Sequence, residues 1–385
     1  MTLSIPSIRD ERDVSSSIAR VITEVVILTI AVVLLAGAIG ANQSWLDRHF
    51  MPSFLFPHEW YVRVETSARV ALAAVGAWLV LVAPRVGRWA ARAPAQTLHI
   101  TIAAVLALGM SEPALRRAHL GPAEWLRPDE EPRRRADPRL GWAFVPARTG
   151  HATIGGRVVD YSIDAAGYRV RRVEEPVDPE RPTILFAGES VMFGEGLTWE
   201  ESVPAQVGAM MGTQVANLAV HGFGNDQALL RLQTELPRFR RPVAVVSLFM
   251  TALFGRNLDS ERPHLGPGLV WLPGDHRWRL ESLARLLVPY HSDDAIERGI
   301  TVTGEVLHAT SAVARARGAT PLIVVAQFGR EEGIQQALRR RIVDDSVPNV
   351  FVEIDPAWRL PWDRHPDARA AHAIAESIAA RLRVH

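Results

Sequence analysis

Ile184-Leu185-Phe186-Ala187-Gly188-Glu189-Ser190 decides the fold. Four apolar residues in a row, ended by a glycine, read as a short strand buried on both faces, as strands of parallel sheets are. The glycine breaks the strand and presents a serine. Far downstream, Asp363-Arg364-His365-Pro366 sets a carboxylate and an imidazole two positions apart, on a proline-stiffened turn ahead of a final helix. A serine hydroxyl is a poor nucleophile until a neighbouring base takes its proton, and that base works best when an acid holds its ring. The order of the three suits an α/β hydrolytic enzyme, with Ser190 as nucleophile, His365 as general base and then acid, and Asp363 orienting the imidazole.

Around that strand the pattern repeats. From Thr183 onward short apolar runs alternate with helical spacing, which implies a mostly parallel sheet with crossover helices. Strands are expected over 184–187, 215–220, 243–249, 322–326 and 350–354, and helices over 200–211, 226–236, 300–317, 331–341 and 367–383. An insertion over 252–298, rich in proline and glycine and carrying Trp271 and Trp278, suits a lid or a substrate-facing segment. Upstream, 139–182 reads as a β-rich lead-in, and 165–169 (Ala-Ala-Gly-Tyr-Arg) as a turn. The charge-dense stretch 113–138 reads as a solvated linker.

The 385 residues allow a membrane region as well as a globular domain. A bilayer core needs about 20 mostly apolar helical residues, and helices near 18–41, 67–84 and 97–112 are expected to supply three spans. The first resembles a signal peptide at Ala36-Gly37-Ala38, but its long acid-containing leader and the two apolar runs behind it favour a retained helix. Arg85, Arg88 and Arg92 form an arginine-rich connector, against Arg48 and Arg63 in the longer stretch before the second run. Arginine marks the cytoplasmic side, so the amino terminus and this connector are expected inside and everything after Ser111 outside. The location expected is thus the inner or plasma membrane, multi-pass.

Several classes of function fall away. A net charge of +1 gives no nucleic-acid footprint. With no cysteine there is neither a disulfide framework nor a thiolate metal site. All 43 basic residues are arginine, which removes Schiff-base chemistry and any phosphate-loop lysine. No cofactor and no metal are expected.

At this point the chain resembles the GDSL/SGNH hydrolase family. Gly188-Glu189-Ser190 stands where the family's first block has Gly-Asp-Ser. Asn217-Leu218-Ala219-Val220-His221-Gly222 is similar to its second block, and Asp363-Arg364-His365-Pro366, with His372 behind it, to its last. Leu140-Gly141-Trp142 and Asp164-Ala165-Ala166-Gly167-Tyr168-Arg169 look like the lead-in of bacterial membrane-linked members. The resemblance covers about Leu140 to the end. It implies a three-layer α/β/α SGNH-hydrolase-like domain over 183–385, in which Gly222 gives a backbone N–H to the oxyanion hole.

Two departures matter. Glu189 replaces the family's aspartate. The third block should supply an asparagine after the third strand as an oxyanion donor, and counting along Phe249-Met250-Thr251-Ala252 puts Thr251 or Ala252 there. Thr251 is the first candidate by register. Asn257 fits if the chain folds back, and Arg256 fits a negatively charged substrate. Asn225, in Gly224-Asn225-Asp226, reads as a helix N-cap. The activity implied is a membrane-anchored serine esterase acting outside the cytoplasm on an acylated glycan, a lipid or a small ester. An O-acyltransferase on an envelope glycan, or a catalytically impaired glycan-binding or scaffold member with envelope-complex partners, is the alternative.

Overall fold

The computed structural model describes residues 8–51, 57–117, 130–275 and 278–384, and the chain divides into two compact units. The first holds helices Ile8–Gly40, Gln43–His49, His58–Arg92, Pro94–Leu115 and Arg279–Leu287. Three helices, Val14–Gly40, His58–Arg92 and Pro94–Leu115, are long and apolar enough to cross a membrane. Their apolar side chains turn outward, with Val33 63%, Leu81 69% and Met110 66% exposed, as suits a surface solvated by lipid. The first two pack closely because Gly76 and Gly87 carry no side chain. A β-carbon there would lie 2.9 Å from Leu35 and 2.5 Å from Glu24, respectively.

The second long helix does not end where its apolar run ends. Arg85, Arg88 and Arg92 are helical, not a connector. Pro84 sits inside the helix, costing one hydrogen bond without stopping it. The break comes at Ala93, which leaves helical geometry (φ −139°, ψ 59°) as a residue before proline tends to, and Pro94 opens the next helix. Arg279–Leu287, expected within the 252–298 insertion, belongs to this unit. Glu112 Oε2 accepts from Leu280 N at 3.2 Å, near the helix's amino end.

The second unit opens with a hairpin, β1 (Arg134–Asp137) and β2 (Gly141–Phe144). β1 lies inside the stretch expected to be solvated linker. It is ordered because the Arg134 side chain is buried and Glu131 pairs with Arg148; residues 118–129 of that stretch lie outside the described residues. Next come β3 (Arg148–Ile154), β4 (Arg157–Ile163), β5 (Arg169–Val170), β6 (Thr183–Ala187), β7 (Gln214–Asn217) and β8 (Pro242–Phe249). A small hairpin of β9 (His264–Leu265) and β10 (Trp271–Leu272) precedes β11 (Thr320–Phe328) and β12 (Asn349–Ile354).

Eight strands make one sheet in the order β12-β11-β8-β6-β7-β5-β4-β3. The five from β12 to β7 are parallel. The lead-in is continuous with them, since β5 pairs antiparallel with β7 at Arg169 and Asn217. Along β6 the side chains alternate. Ile184 and Phe186 join a cluster with Val203, Val207, Ile374 and Ile378, while Leu185 and Ala187 join Ala228, Leu232 and Ala314. Helices Val203–Met211 and Ala368–Arg383 therefore cover one face, and Asn225–Glu235 and Asp293–Ala316 the other, which gives three layers. The order in which the chain adds the parallel strands reverses between β6 and β8, with β7 on one side of β6 and β8, β11 and β12 on the other. Open α/β sheets place ligands at the carboxyl ends of strands beside such a reversal.

Candidate active site

Ser190 stands at that reversal. β6 ends at Ala187, Gly188 breaks the strand, and Ser190 opens the short helix Ser190–Phe193. Its side chain is fully buried. Ser190 Oγ lies 3.0 Å from His365 Nε2, and His365 Nδ1 meets Asp363 Oδ1. Asp363 Oδ1 also accepts from the backbone N–H of His365 at 3.3 Å. Residues 175 positions apart are thus joined by the fold.

The turn that presents the acid and the imidazole is strained and braced. Trp362 and Arg364, on either side of Asp363, both hold positive φ (64° and 66°), which non-glycine residues adopt only when their surroundings impose it. Leu360 N donates to His365 O at 2.7 Å and Arg364 N to Leu360 O at 3.0 Å. Arg359 stacks 3.7 Å over the Phe328 ring and donates to Arg364 O at 3.1 Å. Trp362 itself is 97% exposed.

Glu189 braces the turn and does more. Its carboxylate caps the helix through Val191 N (3.1 Å), pairs with Arg256 Nη1 (3.1 Å), and accepts the Ser190 hydroxyl at 2.5 Å. The hydroxyl has one proton and two acceptors, Glu189 Oε2 and His365 Nε2. Of the two acceptors, only the imidazole has an acid on its far side, the arrangement a relay base requires.

The candidate oxyanion donors fall into three places. Gly222 holds φ +81°, and a β-carbon there would lie 3.1 Å from the Trp142 ring, so both conformation and space require glycine. Thr251 is buried with its hydroxyl turned to Gln327 Oε1 at 3.2 Å. Asn257 does fold back. It lines a small cavity with Gly188, Glu189, Phe223, Gly224, Asn225, Leu248, Met250 and Leu253. Its Oδ1 accepts from Asn225 N (2.9 Å) and its Nδ2 donates to Asn225 Oδ1 (3.0 Å). Asn225 is not the N-cap; Gly224 is, and the Asn225 amide donates instead to Leu248 O at 2.7 Å. A glycine in the cap position frees the asparagine one residue on to face the cavity. Asp226 and Arg262, both buried, form a two-pronged ion pair at 2.9 Å that ties the 252–298 insertion to this helix.

Other residues escaped the sequence reading. Arg169 is buried completely, lies over the rings of Tyr161 (4.8 Å) and Phe193 (4.9 Å), and donates to the carbonyls of Phe193, Gly194 and Leu197 at 2.6, 2.8 and 2.6 Å. Burial draws its guanidinium down to about 10, leaving it charged at neutral pH. Asn217 donates to Met192 O and Phe193 O. Both therefore hold the loop that follows Ser190. The signals in the sequence were the two motifs that hold these residues, the arginine ending the lead-in motif over 164–169 and the asparagine opening the second block. His372 pairs with Gln206 (2.6 Å) and Glu376.

Glu195 and His221 form a second acid–imidazole pair, 2.9 Å apart. Burial opposes the charge on Glu195, but His221 and the more distant His365 and Arg134 outweigh it and hold the carboxyl down at about 2. Among the described residues no group of three His, Asp or Glu side chains stands close enough to hold a metal ion.

No family model and no curated protein matches the sequence. Solved structures do resemble it. One is described as a lipolytic protein of the G-D-S-L family from Desulfitobacterium hafniense DCB-2 (12% identity, 52% of this chain and 98% of that one, TM-score 0.33). Another is an acetyl xylan esterase from the rumen bacterium Butyrivibrio proteoclasticus (11%, 55% and 65%, 0.33). A third is a carbohydrate esterase family 2 enzyme with its carbohydrate-binding domain from Corynascus thermopiles (15%, 57% and 69%, 0.33).

Proposed function

We propose that this chain is a membrane-anchored serine ester hydrolase of the GDSL/SGNH type, with Ser190 as nucleophile, His365 as general base and acid, and Asp363 as the orienting carboxylate. The observation that carries this reading is the 3.0 Å approach of Ser190 Oγ to His365 Nε2, with Asp363 on the opposite nitrogen. That distance lies within the range for direct proton transfer. Ser190 Oγ attacks the ester carbonyl carbon as His365 takes its proton. The carbonyl oxygen gains charge, for which the backbone N–H groups of Ser190 and Gly222 and an amide from the Asn225–Asn257 pair are the donors. His365 then protonates the departing alkoxide, and water repeats the sequence on the acyl-serine. Arg256 offsets the charge of Glu189, and the hydroxyl leaves Glu189 for His365 as the reaction begins.

The substrate is an acyl or acetyl ester outside the cytoplasm, with Arg85, Arg88 and Arg92 at the cytoplasmic side. A second reading, a binding member with an idle nucleophile, is favoured by the burial of Ser190 and the donation of its hydroxyl to Glu189. A fluorophosphonate probe separates the two. The full-length protein in detergent should be labelled and the Ser190→Ala variant should not. A wild type that stays unlabelled favours the second reading.

A further inference from the structure

The hydrolytic steps proposed above use one imidazole, yet two stand in the site. The rings of His221 and His365 have centroids 6.2 Å apart and planes tilted by 46°. His221 directly precedes Gly222, and its carbonyl is fixed by Trp142 Nε1 at 3.0 Å. Its Nδ1 is buried against Glu195 Oε2 at 2.9 Å, an ion-pair contact, and among the described residues neither atom makes a hydrogen bond. The His221 side chain is nevertheless 26% exposed. With Nδ1 buried, the open part of the ring is the edge away from it, the edge that carries Nε2.

Glu195 is an expensive residue for the fold to hold. It sits on the loop just after the nucleophile, with its N–H on Ser190 O at 2.9 Å, and its carboxylate is 8% exposed. A buried ion pair rarely stabilises a protein more than apolar residues of the same volume. What a carboxylate on Nδ1 does provide is a fixed tautomer. A carboxylate beside Nδ1 favours the tautomer that keeps the proton on Nδ1 and leaves Nε2 as the acceptor, as Asp363 does for His365. The site therefore sets two imidazoles side by side, with ring centres 6.2 Å apart, a separation that two neighbouring oxygens of one small alcohol can span with a hydrogen bond of about 2.8 Å to each ring.

Resting on the esterase reading, we propose that His221, held by Glu195, accepts a hydrogen bond from a second hydroxyl on the alcohol half of the substrate, next to the ester oxygen that His365 protonates. The site then selects esters of polyhydroxy alcohols over esters of simple alcohols. His221 is the specificity-determining contact and Glu195 positions it. No covalent step is added.

The test compares 2-hydroxyethyl acetate with propyl acetate, which differ by a hydroxyl in place of a methyl group. The readout is the ratio of their kcat/KM values, divided by the ratio of their rates with hydroxide, so that loss of folded protein cancels. Wild type should favour the hydroxylated ester by at least about tenfold, a modest figure for a site built to bond a substrate hydroxyl. His221→Phe keeps a ring and removes the acceptor, and should bring the corrected ratio to about one. Glu195→Ala leaves the imidazole but frees its orientation, and should lower the ratio at least about threefold. A wild-type ratio near one, or a ratio kept within about twofold in His221→Phe, overturns the inference; so does a Ser190 that reacts with the fluorophosphonate probe while neither ester is turned over. A wild type that is neither labelled nor active refutes the esterase reading, and this inference falls with it.

Discussion

Replacing Arg169 with methionine should loosen the loop that follows Ser190, and the structure sets the size of the effect. The guanidinium donates to three carbonyls, but two of them keep another partner. Phe193 O also accepts from Asn217 Nδ2 (3.2 Å), and Gly194 O from Leu197 N (3.1 Å). Among the described residues Leu197 O has no second donor, so it alone is orphaned, at about 1–3 kcal/mol. The two other lost bonds are charge-assisted and worth about 1.5 kcal/mol each at the low end. The cation–π contacts with Tyr161 and Phe193 add to the loss, while removing a buried charge offsets part of it. The net expectation is a destabilisation of about 3 kcal/mol. With an m-value of about 3 kcal/mol/M, the urea midpoint should fall by about 1 M. Pulse proteolysis of the full chain across a urea series reads this without relying on activity. Arg169→Lys keeps the charge but not the planar fork, and should fall between the two. A methionine variant within about 0.5 kcal/mol of wild type, with normal fluorophosphonate labelling, would refute the account of Arg169 as the brace of the loop.

Other expectations concern charge, catalysis and orientation. The folded state depresses the Glu195 pKa from 4.5 to about 2, so its contribution is complete above about 4.5 and is lost as pH falls towards 2. Thermal unfolding between pH 5 and 2 should therefore decline less steeply in Glu195→Gln than in wild type. Asn257→Ala should reduce turnover of a short-chain ester by about tenfold or more, whereas Thr251→Val, whose hydroxyl is engaged with Gln327, should leave turnover within about threefold and cost about 1 kcal/mol of stability; the opposite result would return the donor role to Thr251. Reporter fusions at Arg88 and after His385 should report opposite compartments, and fusions reporting one side would remove a span from the topology.

What could be read in the sequence was whatever had a local signature. The five parallel strands are nearly all apolar because helices cover both faces, so each stands out as a run. Ser190, Asp363 and His365 sit in short motifs at strand ends. β3 was missed because it lies at a sheet edge, with polar and glycine residues such as Thr149, Gly150 and His151 along it. β1 was hidden by its arginines, since charge density alone does not reveal that one of them is buried. The Glu195–His221 pair and the Arg169 brace join residues 24 and more positions apart, with no periodicity to announce them. The second long helix outlasts its apolar run because its end is fixed by Ala93-Pro94, not by hydropathy.

The sheet that runs unbroken from β3 to β12 has a bearing on how such proteins can be recombined. A crossover placed at Thr183, where the α/β pattern begins, would graft five parallel strands and the motif residues onto a foreign leader, and the product would look complete by its motifs. It would lack Trp142, Tyr161 and Arg169, whose side chains reach across the seam to Gly222, Gly196 and the loop behind Ser190. Chimeras joined near residue 130 should keep the braced geometry around Ser190; those joined at 183 should inherit only its sequence.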